Sequence, residues 1–300
     1  MSCIPEKTDA ALKRRRRPGL TASLQGFFGP TGKLLRAGVI FLSVLLFLGP
    51  GGCRGKGNST SKAICVAGST SVQPFAEKLA EVYMEHHPQT RIDVQGGGSS
   101  AGIFAAQQGA ADLGASSREL VKAEKALHEI PIAWDGIAVI VHPSNPLNNL
   151  TLKQLRQIFQ GRITNWQDLG LPPHAIDLIS REEGSGTREA FEHLVMGKSE
   201  VSHGALVQDS NGSVREIVAG DPYSLGYISA GLVDDRVKAV AIDGILPTRE
   251  NIKTQKYKLV RRFLLVSRKT PAGQCQAFVH FILSPQGQRL LEAEGLVGVK

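Results

Sequence analysis

Three segments of the sequence place Ser or Thr hydroxyls beside glycine where a strand-like run ends and a helix-like run begins. Their residues are Ser69, Thr70 and Ser71 after AICVAG, Ser99 and Ser100 after IDVQGGG, and Ser185, Gly186 and Thr187 after DLISREEG. Arg181 stands four residues before Ser185. Hydroxyls and unpaired backbone N–H groups at a helix N-terminus are donors for negative charge, which the helix dipole also favours. The pattern predicts an anion site built from loops distant in sequence.

One such loop alone would indicate only an N-cap, because Ser and Thr are preferred there in any α/β protein. Three loops together favour the anion site. No GK[ST] follows the glycines, so a nucleotide-binding P-loop is excluded. A serine nucleophile needs a base or a metal, and neither a His, Cys or carboxylate cluster nor a metal-ligand spacing of histidines accompanies these motifs. The sequence predicts no catalytic residue, metal or cofactor.

Strand-like and helix-like segments alternate from residue 63 to the C-terminus, which indicates an α/β fold. Hydrophobic residues make up 42% of the 300 residues and charged residues 21%, as in ordinary globular proteins of one or two domains. The run IPIAWDGIAVIVHP predicts a strand. The C-terminal periodicity predicts one helix from Gln274 to Ala293.

The net charge of +8 is concentrated near the N-terminus. Residues 1–52 hold eight Lys or Arg and two acidic residues, whereas the rest of the chain holds 27 basic and 25 acidic residues. The rest also lacks a basic run interleaved with aromatic residues. Nucleic acid is therefore not an expected partner.

An apolar run at residues 37–48, AGVIFLSVLLFL, follows Lys33 and Arg36 and is typical of a secretory signal. It is shorter than the roughly 20 apolar residues that span a bilayer. The small residues before Cys53 resemble a bacterial lipoprotein signal. We interpret residues 1–53 as a signal and lipoprotein leader with Cys53 as the lipidation site, and residues 54–62 as a tether. An uncleaved N-terminal anchor is the alternative.

Two further cysteines, Cys65 and Cys275, lie in a strand-like and a helix-like segment. In an exported protein they could form a disulfide. Two buried thiols fit the sequence equally well, and the sequence leaves both possibilities open.

Seven segments resemble, in their order and spacing, the phosphate-binding protein of bacterial phosphate ABC transporters. They are GSTSVQPFAEKLAEVY, VQGGGSSAG, ADLGASSREL, WDGIAVIVHPSNP, LTLKQLRQIFQGRITNW, REEGSGTREAF and LVRRFLLV. The resemblance implies a two-lobed periplasmic-binding-protein fold, type II-like, in which each lobe is a mixed sheet flanked by helices and a hinged cleft lies between them. Lobe one would comprise residues 63–139 and 227–300, and lobe two residues 140–226.

The resemblance also implies a set of phosphate ligands from both lobes. They would be Ser69, Thr70, Ser71 and Ser99 from lobe one, and Arg181, Ser185, Gly186 (through its N–H) and Thr187 from lobe two, with Ser100 as a further candidate. Glu183 is expected to pair with Arg181 and hold its guanidinium in place. A fourth helix opened by serine, SNGSVREIVAG from Ser210, is not counted among the ligands.

Selectivity for phosphate over sulfate is expected to need an acidic residue, because phosphate keeps a P–OH proton at neutral pH and sulfate has none. The family has an Asp after the ASx step of its ADLGASSREL-like segment; here that position is Ser117, followed by Arg118. Ser117 is kept as a ligand. Asp135 is the expected replacement acceptor, and Asp112 is the second candidate, with a capping or turn role as its alternative. Arg118 would be either a second cation of the site or a surface residue.

The resemblance therefore predicts a non-enzymatic, exported and lipid-anchored protein, periplasmic or on the outer face of the cytoplasmic membrane. It is expected to be a monomer that captures inorganic phosphate and delivers it to the permease and ATPase subunits of an ABC transporter. The alternatives are the same fold binding sulfate, molybdate, phosphite or a phosphonate, and a serine-based phosphatase.

Overall fold

The computed structural model describes residues 63–299, along which strands and helices alternate, as the α/β prediction requires. The strands are β1 (Ile64–Gly68), β2 (Ile92–Gln95), β3 (Leu113–Ser116), β4 (His128–Val141), β5 (Asn149–Leu150), β6 (Asp177–Arg181), β7 (Leu206–Gln208), β8 (Ser224–Ser229), β9 (Lys238–Ala239), β10 (Ala241–Ile242), β11 (Val260–Ser267) and β12 (Val297–Gly298). The α-helices are α1 (Gln73–His86), α2 (Ser99–Gln108), α3 (Leu152–Phe159), α4 (Gly186–Phe191), α5 (Asn211–Gly220), α6 (Arg249–Lys253), α7 (Gly273–Ile282) and α8 (Pro285–Ala293). Within this part of the chain, no helix combines the length and the apolar character needed to cross a membrane.

The main sheet has the strand order β2-β1-β3-β11-β4-β8-β6-β7, and β9 and β12 also pair with β4. β1 is parallel to β2 and β3, and β6 is parallel to β7 and β8. β11 and β8 are antiparallel to β4, on opposite sides of it. Parallel strands bring their carboxyl ends to one edge. The loops after β1, β2 and β3 therefore lie together, as do those after β6 and β7.

β4 belongs to both halves of this sheet. Its first part, up to Gly136, pairs with β11 and β12, and its second part, residues 137–141, pairs with β8. Every residue from Asp135 to Val141 is buried. A strand covered on both faces loses the alternation of polar and apolar residues, which explains the continuous IAVIV run.

Two large apolar cores lie in the two halves. In the first, Phe75 and Tyr83 of α1 contact Phe263 of β11 and Phe278 of α7. The second packs α3 and α4 against the second part of β4 and against β8 through a cluster of aromatic rings. The rings of that cluster are Phe159, Phe191 and Tyr227.

The strand pairing bears on the lobe boundaries expected from the sequence, which placed residues 227–300 in lobe one. β9 pairs with the second part of β4, β10 pairs with β5, and Tyr257 and Leu259 belong to the second core. We therefore propose that lobe two comprises residues 137–259, and lobe one residues 63–136 and 260–299. The leader at 1–53, with Cys53, and the tether at 54–62 lie outside the described residues.

The C-terminal helix predicted for Gln274–Ala293 is two helices, α7 and α8. Ser284 caps α8 by accepting a hydrogen bond from the N–H of Gly287 over 3.3 Å, and Pro285 occupies the first helical position. Proline lacks the N–H that a continuous helix would use there, and its ring favours a helix start. The prediction of a single helix missed this Ser-Pro break.

Cys65 and Cys275 are both half-buried and are not joined by a disulfide. Burial raises the pKa of the Cys275 thiol to about 11, and the negative charge of Asp112 adds to the increase. Of the two possibilities that the sequence left open, the structure has the unbridged one.

Candidate functional site

Three buried serine hydroxyls of lobe one form a chain where β1, β3 and α2 meet. The Ser69 hydroxyl donates to that of Ser117 over 2.9 Å, and the hydroxyls of Ser117 and Ser99 are 3.4 Å apart. The Ser99 hydroxyl also accepts from the backbone N–H of Ser117 over 3.1 Å. Ser69 follows β1, Ser117 follows β3 and Ser99 begins α2, so the parallel pairing of the strands brings them together.

Hydroxyls from the loop after β1, residues 69–71, contact lobe two directly. The Ser71 hydroxyl lies 2.6 Å from that of Thr187, and the Thr70 hydroxyl accepts from Nη2 of Arg181 over 3.1 Å. Ser71 and Thr187 are almost completely buried. Residues more than a hundred positions apart therefore share one hydrogen-bonded cluster between the lobes.

The N-terminus of α4 packs against the serine chain. The Ser185 side chain accepts from the N–H of Arg188 over 3.3 Å, which makes it the N-cap. A Cβ at Gly186 would overlap the Ser99 hydroxyl and lie 2.8 Å from the Ser117 hydroxyl. Only glycine lets the two lobes come this close.

Arg181, at the end of β6, is 1% exposed and points its guanidinium into the same cluster. Its Nε and Nη2 each lie 2.9 Å from an oxygen of Glu182, and they also donate to the carbonyls of Gln208 and Asp209. Its Nη1 is buried and has no hydrogen-bond partner among the described residues. The expected pairing of Glu183 with Arg181 is wrong: Glu182 takes that role, and Glu183 is exposed.

Asp135 is fully buried in β4, opposite Arg261 of β11 in the strand register. Its Oδ2 accepts from Nε of Arg261 over 3.0 Å and lies 2.9 Å from Nη2, while its Oδ1 accepts from the Ser229 hydroxyl over 2.8 Å. Burial raises the pKa of Asp135, against the opposing effects of Arg261 and Ser229, and burial lowers the pKa of Arg261.

Two side chains in the cluster were missed by the sequence analysis. Arg261 donates from Nη2 to the Ser71 hydroxyl over 3.2 Å and from Nη1 to the Ser117 carbonyl over 3.3 Å. The Asn211 amide donates to the hydroxyl of Ser71 over 2.8 Å and to that of Thr70 over 3.3 Å. The sequence contains a signal for each residue. An arginine inside an apolar strand is rare, which singles out Arg261. Asn211 follows Ser210, which begins a helix as the serines of the other three loops do.

Arg118 and Ser100 lie at the margin of the cluster. Arg118 donates from its two Nη atoms to Glu124, over 2.7 and 2.9 Å, and its Nε lies 2.7 Å from Glu189 of lobe two. Ser100 donates its hydroxyl to Glu189 over 3.1 Å. Arg118 is buried, so it is not a surface residue. It also donates from Nη2 to the Ser100 hydroxyl over 3.1 Å, at the margin and not in the serine chain.

Asp112 is not brought to the cluster. It precedes β3, whereas the hydroxyls follow that strand, and its carboxylate accepts from the N–H of Cys65 over 2.9 Å. The structure thus places this second acceptor candidate at the opposite end of the sheet.

The cluster offers neutral hydroxyls, an amide and guanidinium groups, a donor set suited to a small oxyanion. The predicted residues that it brings together are Ser69, Thr70, Ser71, Ser99, Ser117, Arg181, Gly186 and Thr187, with Ser185 as the adjacent N-cap. Among residues 63–299, neither a histidine nor a carboxylate is hydrogen-bonded to the hydroxyls of the serine chain, and no group of three potential metal ligands occurs.

Sequence comparison matches the chain to one family model and to named relatives. Residues 56–286 match the family model described as PBP superfamily domain. The phosphate-binding protein PstS of Bacillus subtilis is 32% identical over 235 residues, which are 76% of this chain and 78% of that protein. The protein of the same name from Borreliella burgdorferi is 28% identical over 82% of this chain and 93% of its own length.

Solved structures agree with these relatives. A Clostridium perfringens structure, described as a phosphate ABC transporter substrate-binding protein with bound phosphate, is 41% identical, with a TM-score of 0.77 over 79% of this chain and 100% of that one. An ABC-type phosphate transport receptor from Vibrio cholerae is 38% identical, with a TM-score of 0.66 over 78% and 99% of the two chains.

Proposed function

Because this chain belongs to the PBP superfamily, among the phosphate-binding proteins of bacterial ABC transporters, we propose that it captures inorganic phosphate and delivers it to a transporter. The relatives are binding proteins of transport systems, and the family predicted from the sequence is confirmed. Binding without catalysis is part of the proposal.

The observation that carries the proposal is the buried Nη1 of Arg181. A buried guanidinium nitrogen without a partner costs free energy, and an oxyanion removes that cost through a charge-assisted hydrogen bond. Nη2 of the same guanidinium donates to the Thr70 hydroxyl. The Asn211 amide links Thr70 to Ser71, whose hydroxyl lies 2.6 Å from that of Thr187. These are donors that can replace the water around a bound phosphate.

The two-lobed arrangement gives the capture its mechanism. Lobe one supplies the serine chain and the loop after β1, and lobe two supplies Arg181 and the start of α4. An ion held by both sets of donors favours the closed arrangement, because only that arrangement makes all of its contacts. Opening of the lobes then releases the ion to the permease.

The partners of this proposal are phosphate and the permease and ATPase subunits of an ABC transporter. We place the protein outside the cytoplasm as a monomer, held at the membrane by a lipid on Cys53. Support for export and lipidation comes from the apolar run at 37–48 and the small residues before Cys53.

Isothermal titration tests the proposal. The full chain, freed of bound anions by unfolding and refolding, is titrated with phosphate at neutral pH. We expect one site per chain with a Kd of about 1 μM or tighter. A chain that refolds with native circular dichroism and releases no heat with phosphate would contradict the proposal. Hydrolysis of a chromogenic phosphate ester would contradict the absence of catalysis.

A further inference from the structure

Phosphate and sulfate are tetrahedral dianions that differ by one proton, because phosphate keeps a P–OH group that sulfate lacks. A carboxylate in the site would accept that proton from phosphate, whereas it would face an oxygen lone pair of sulfate with like charge nearby. The contacts of the carboxylates around the cluster therefore determine whether the site can reject sulfate.

Asp135, the carboxylate closest to this role, is fully buried and engaged on both oxygens. Its Oδ2 accepts from Nε of Arg261 and lies 2.9 Å from Nη2, and its Oδ1 accepts from the Ser229 hydroxyl. Asp135 therefore neutralises Arg261, and it is not hydrogen-bonded to any hydroxyl of the serine chain.

The other carboxylates near the cluster are also engaged. Both oxygens of Glu182 accept from Arg181, and Glu189 binds Ser100 and Arg118 at the margin of the cleft. Within residues 63–299, no carboxylate is hydrogen-bonded to the hydroxyls of the cluster. These hydroxyls belong to Ser69, Thr70, Ser71, Ser99, Ser117 and Thr187.

The group that faces lobe two in place of a carboxylate is the Ser117 hydroxyl. It accepts from Ser69, and a Cβ at Gly186, the first residue of α4, would lie 2.8 Å from it. A serine hydroxyl is both a donor and an acceptor, and its proton rotates to suit the partner. It can accept from a P–OH group, and it can equally donate to an oxygen of sulfate.

We infer that this site recognises tetrahedral dianions by charge and by number of hydrogen bonds, and that it binds sulfate as well as phosphate. Ser117 is the residue that sets this permissive specificity. The inference rests on the proposed function. Losing one hydrogen bond between neutral groups changes a Kd by less than about a hundredfold, whereas an opposing buried charge changes it by far more.

The test compares the two ions on the same protein. The anion-free full chain is titrated calorimetrically with phosphate and with sulfate, in a buffer that contains neither, above the second pKa of phosphate where both are dianions. We expect the two Kd values to differ by less than about a hundredfold.

The outcomes separate the inference from the proposed function. Phosphate binding with sulfate weaker by about a hundredfold or more overturns the inference and leaves the proposed function standing. No binding of phosphate by refolded protein, with or without sulfate binding, overturns both. Comparable binding of the two ions supports both.

A matched pair of variants tests the assignment to Ser117. Ser117→Asp introduces a carboxylate, and Ser117→Asn introduces a side chain of the same shape without the charge. We expect Ser117→Asp to discriminate against sulfate at least about a hundredfold more strongly than Ser117→Asn does. Equal discrimination by the two variants overturns the assignment. If Ser117→Asp does not fold, the comparison of the two ions on the native chain decides.

Discussion

The Arg181 side chain is the group of the cluster that we expect to contribute most to anion binding. Glu182 and two backbone carbonyls hold its Nε and Nη2, so the guanidinium plane is fixed while Nη1 stays buried without a partner among the described residues. A fixed, dehydrated cation binds an oxyanion without first losing rotamer freedom. Affinity should therefore depend on Arg181 more than on any single hydroxyl.

Replacing Arg181 by alanine should weaken phosphate binding by at least about tenfold, because the buried ion loses its main positive partner. The measurement is calorimetric titration. The control is Arg236→Ala, which removes the same charge from an exposed position paired with Asp234 and Glu216. An Arg181→Ala protein that keeps the native Kd would contradict the site.

Replacing Asp135 by asparagine should lower the free energy of unfolding by about 3–5 kcal/mol, because Arg261 would remain buried without a counter-ion. Urea unfolding measures the change. Glu119→Gln is the control, since Glu119 pairs with the neighbouring Arg262 at the surface and should cost less than about 1 kcal/mol. Equal losses of unfolding free energy in the two variants would contradict the prediction that the buried Asp135–Arg261 pair matters more than the surface pair.

The sequence predicted the hydroxyls of the cluster but not all of its polar side chains. Ser69, Ser99 and Thr187 follow local strand–loop–helix patterns that can be read along the chain. The role of Arg261 depends on the register of β11 against β4, which sets it opposite Asp135, and two adjacent arginines in one strand do not reveal which is buried. Local patterns can be recognised in a sequence. The contact between Asp135 and Arg261 joins residues 126 positions apart, and tertiary packing determines such contacts.

Among the elements, the long and periodic ones were predictable, and the short ones were not. α1 and β4 carry clear apolar patterns, but β5, β9 and β10 have two residues each, too few to show a period. The pairing of β9 with β4 and of β10 with β5 attaches residues 238–242 to lobe two. The boundary expected at residue 227 would have placed them in lobe one.

α4 illustrates how one element can control closure. Its first residue, Gly186, has no room for a Cβ because Ser99 and Ser117 of lobe one occupy that space. The backbone of Gly186 lies outside the left-handed region, so alanine there would not strain the helix itself. A substitution at this position therefore probes the approach of the lobes separately from helix stability.

Gly186→Ala should weaken phosphate binding by about five- to a hundredfold, because the added methyl group keeps the lobes apart by an overpacking cost of about 1–3 kcal/mol. Unfolding in urea should change little. The matched control is Gly212→Ala in the first turn of α5, where a Cβ would meet only Ser210 at 3.7 Å. A loss of stability without a loss of affinity would refute the closure role.

Across the whole molecule, contacts outside the hydroxyl cluster also join the lobes. Glu189 of α4 receives Arg118 and Ser100 from lobe one, and the N–H of Ser100 donates to the carbonyl of Gly184 over 3.1 Å. These contacts exist only when the lobes are together. They add to the stability of the closed arrangement without touching the cluster of donors.

Glu189→Gln should weaken phosphate binding by about two- to tenfold, because the closed arrangement loses a partly exposed ion pair. The difference from the native protein should shrink as salt is added, since screening weakens that pair. Titration at low and high salt measures both effects. Glu192→Gln is the control, because Glu192 pairs with Arg188 within its own helical segment. A native Kd at low salt would contradict this role.

The place of β11 in the sheet has a consequence for the order in which the chain can fold. β11 lies between β3 and β4, and α7 and α8 cover the first core, so lobe one lacks its central strand until the last forty residues are present. Lobe two, with the bounds proposed above, is continuous from residue 137 to 259. During synthesis from the N-terminus, all of lobe two is made before β11, the strand that joins β3 to β4 in lobe one. Until β11 is made, the edge of β3 that β11 covers in the folded protein is unpaired and open to pairing with another chain.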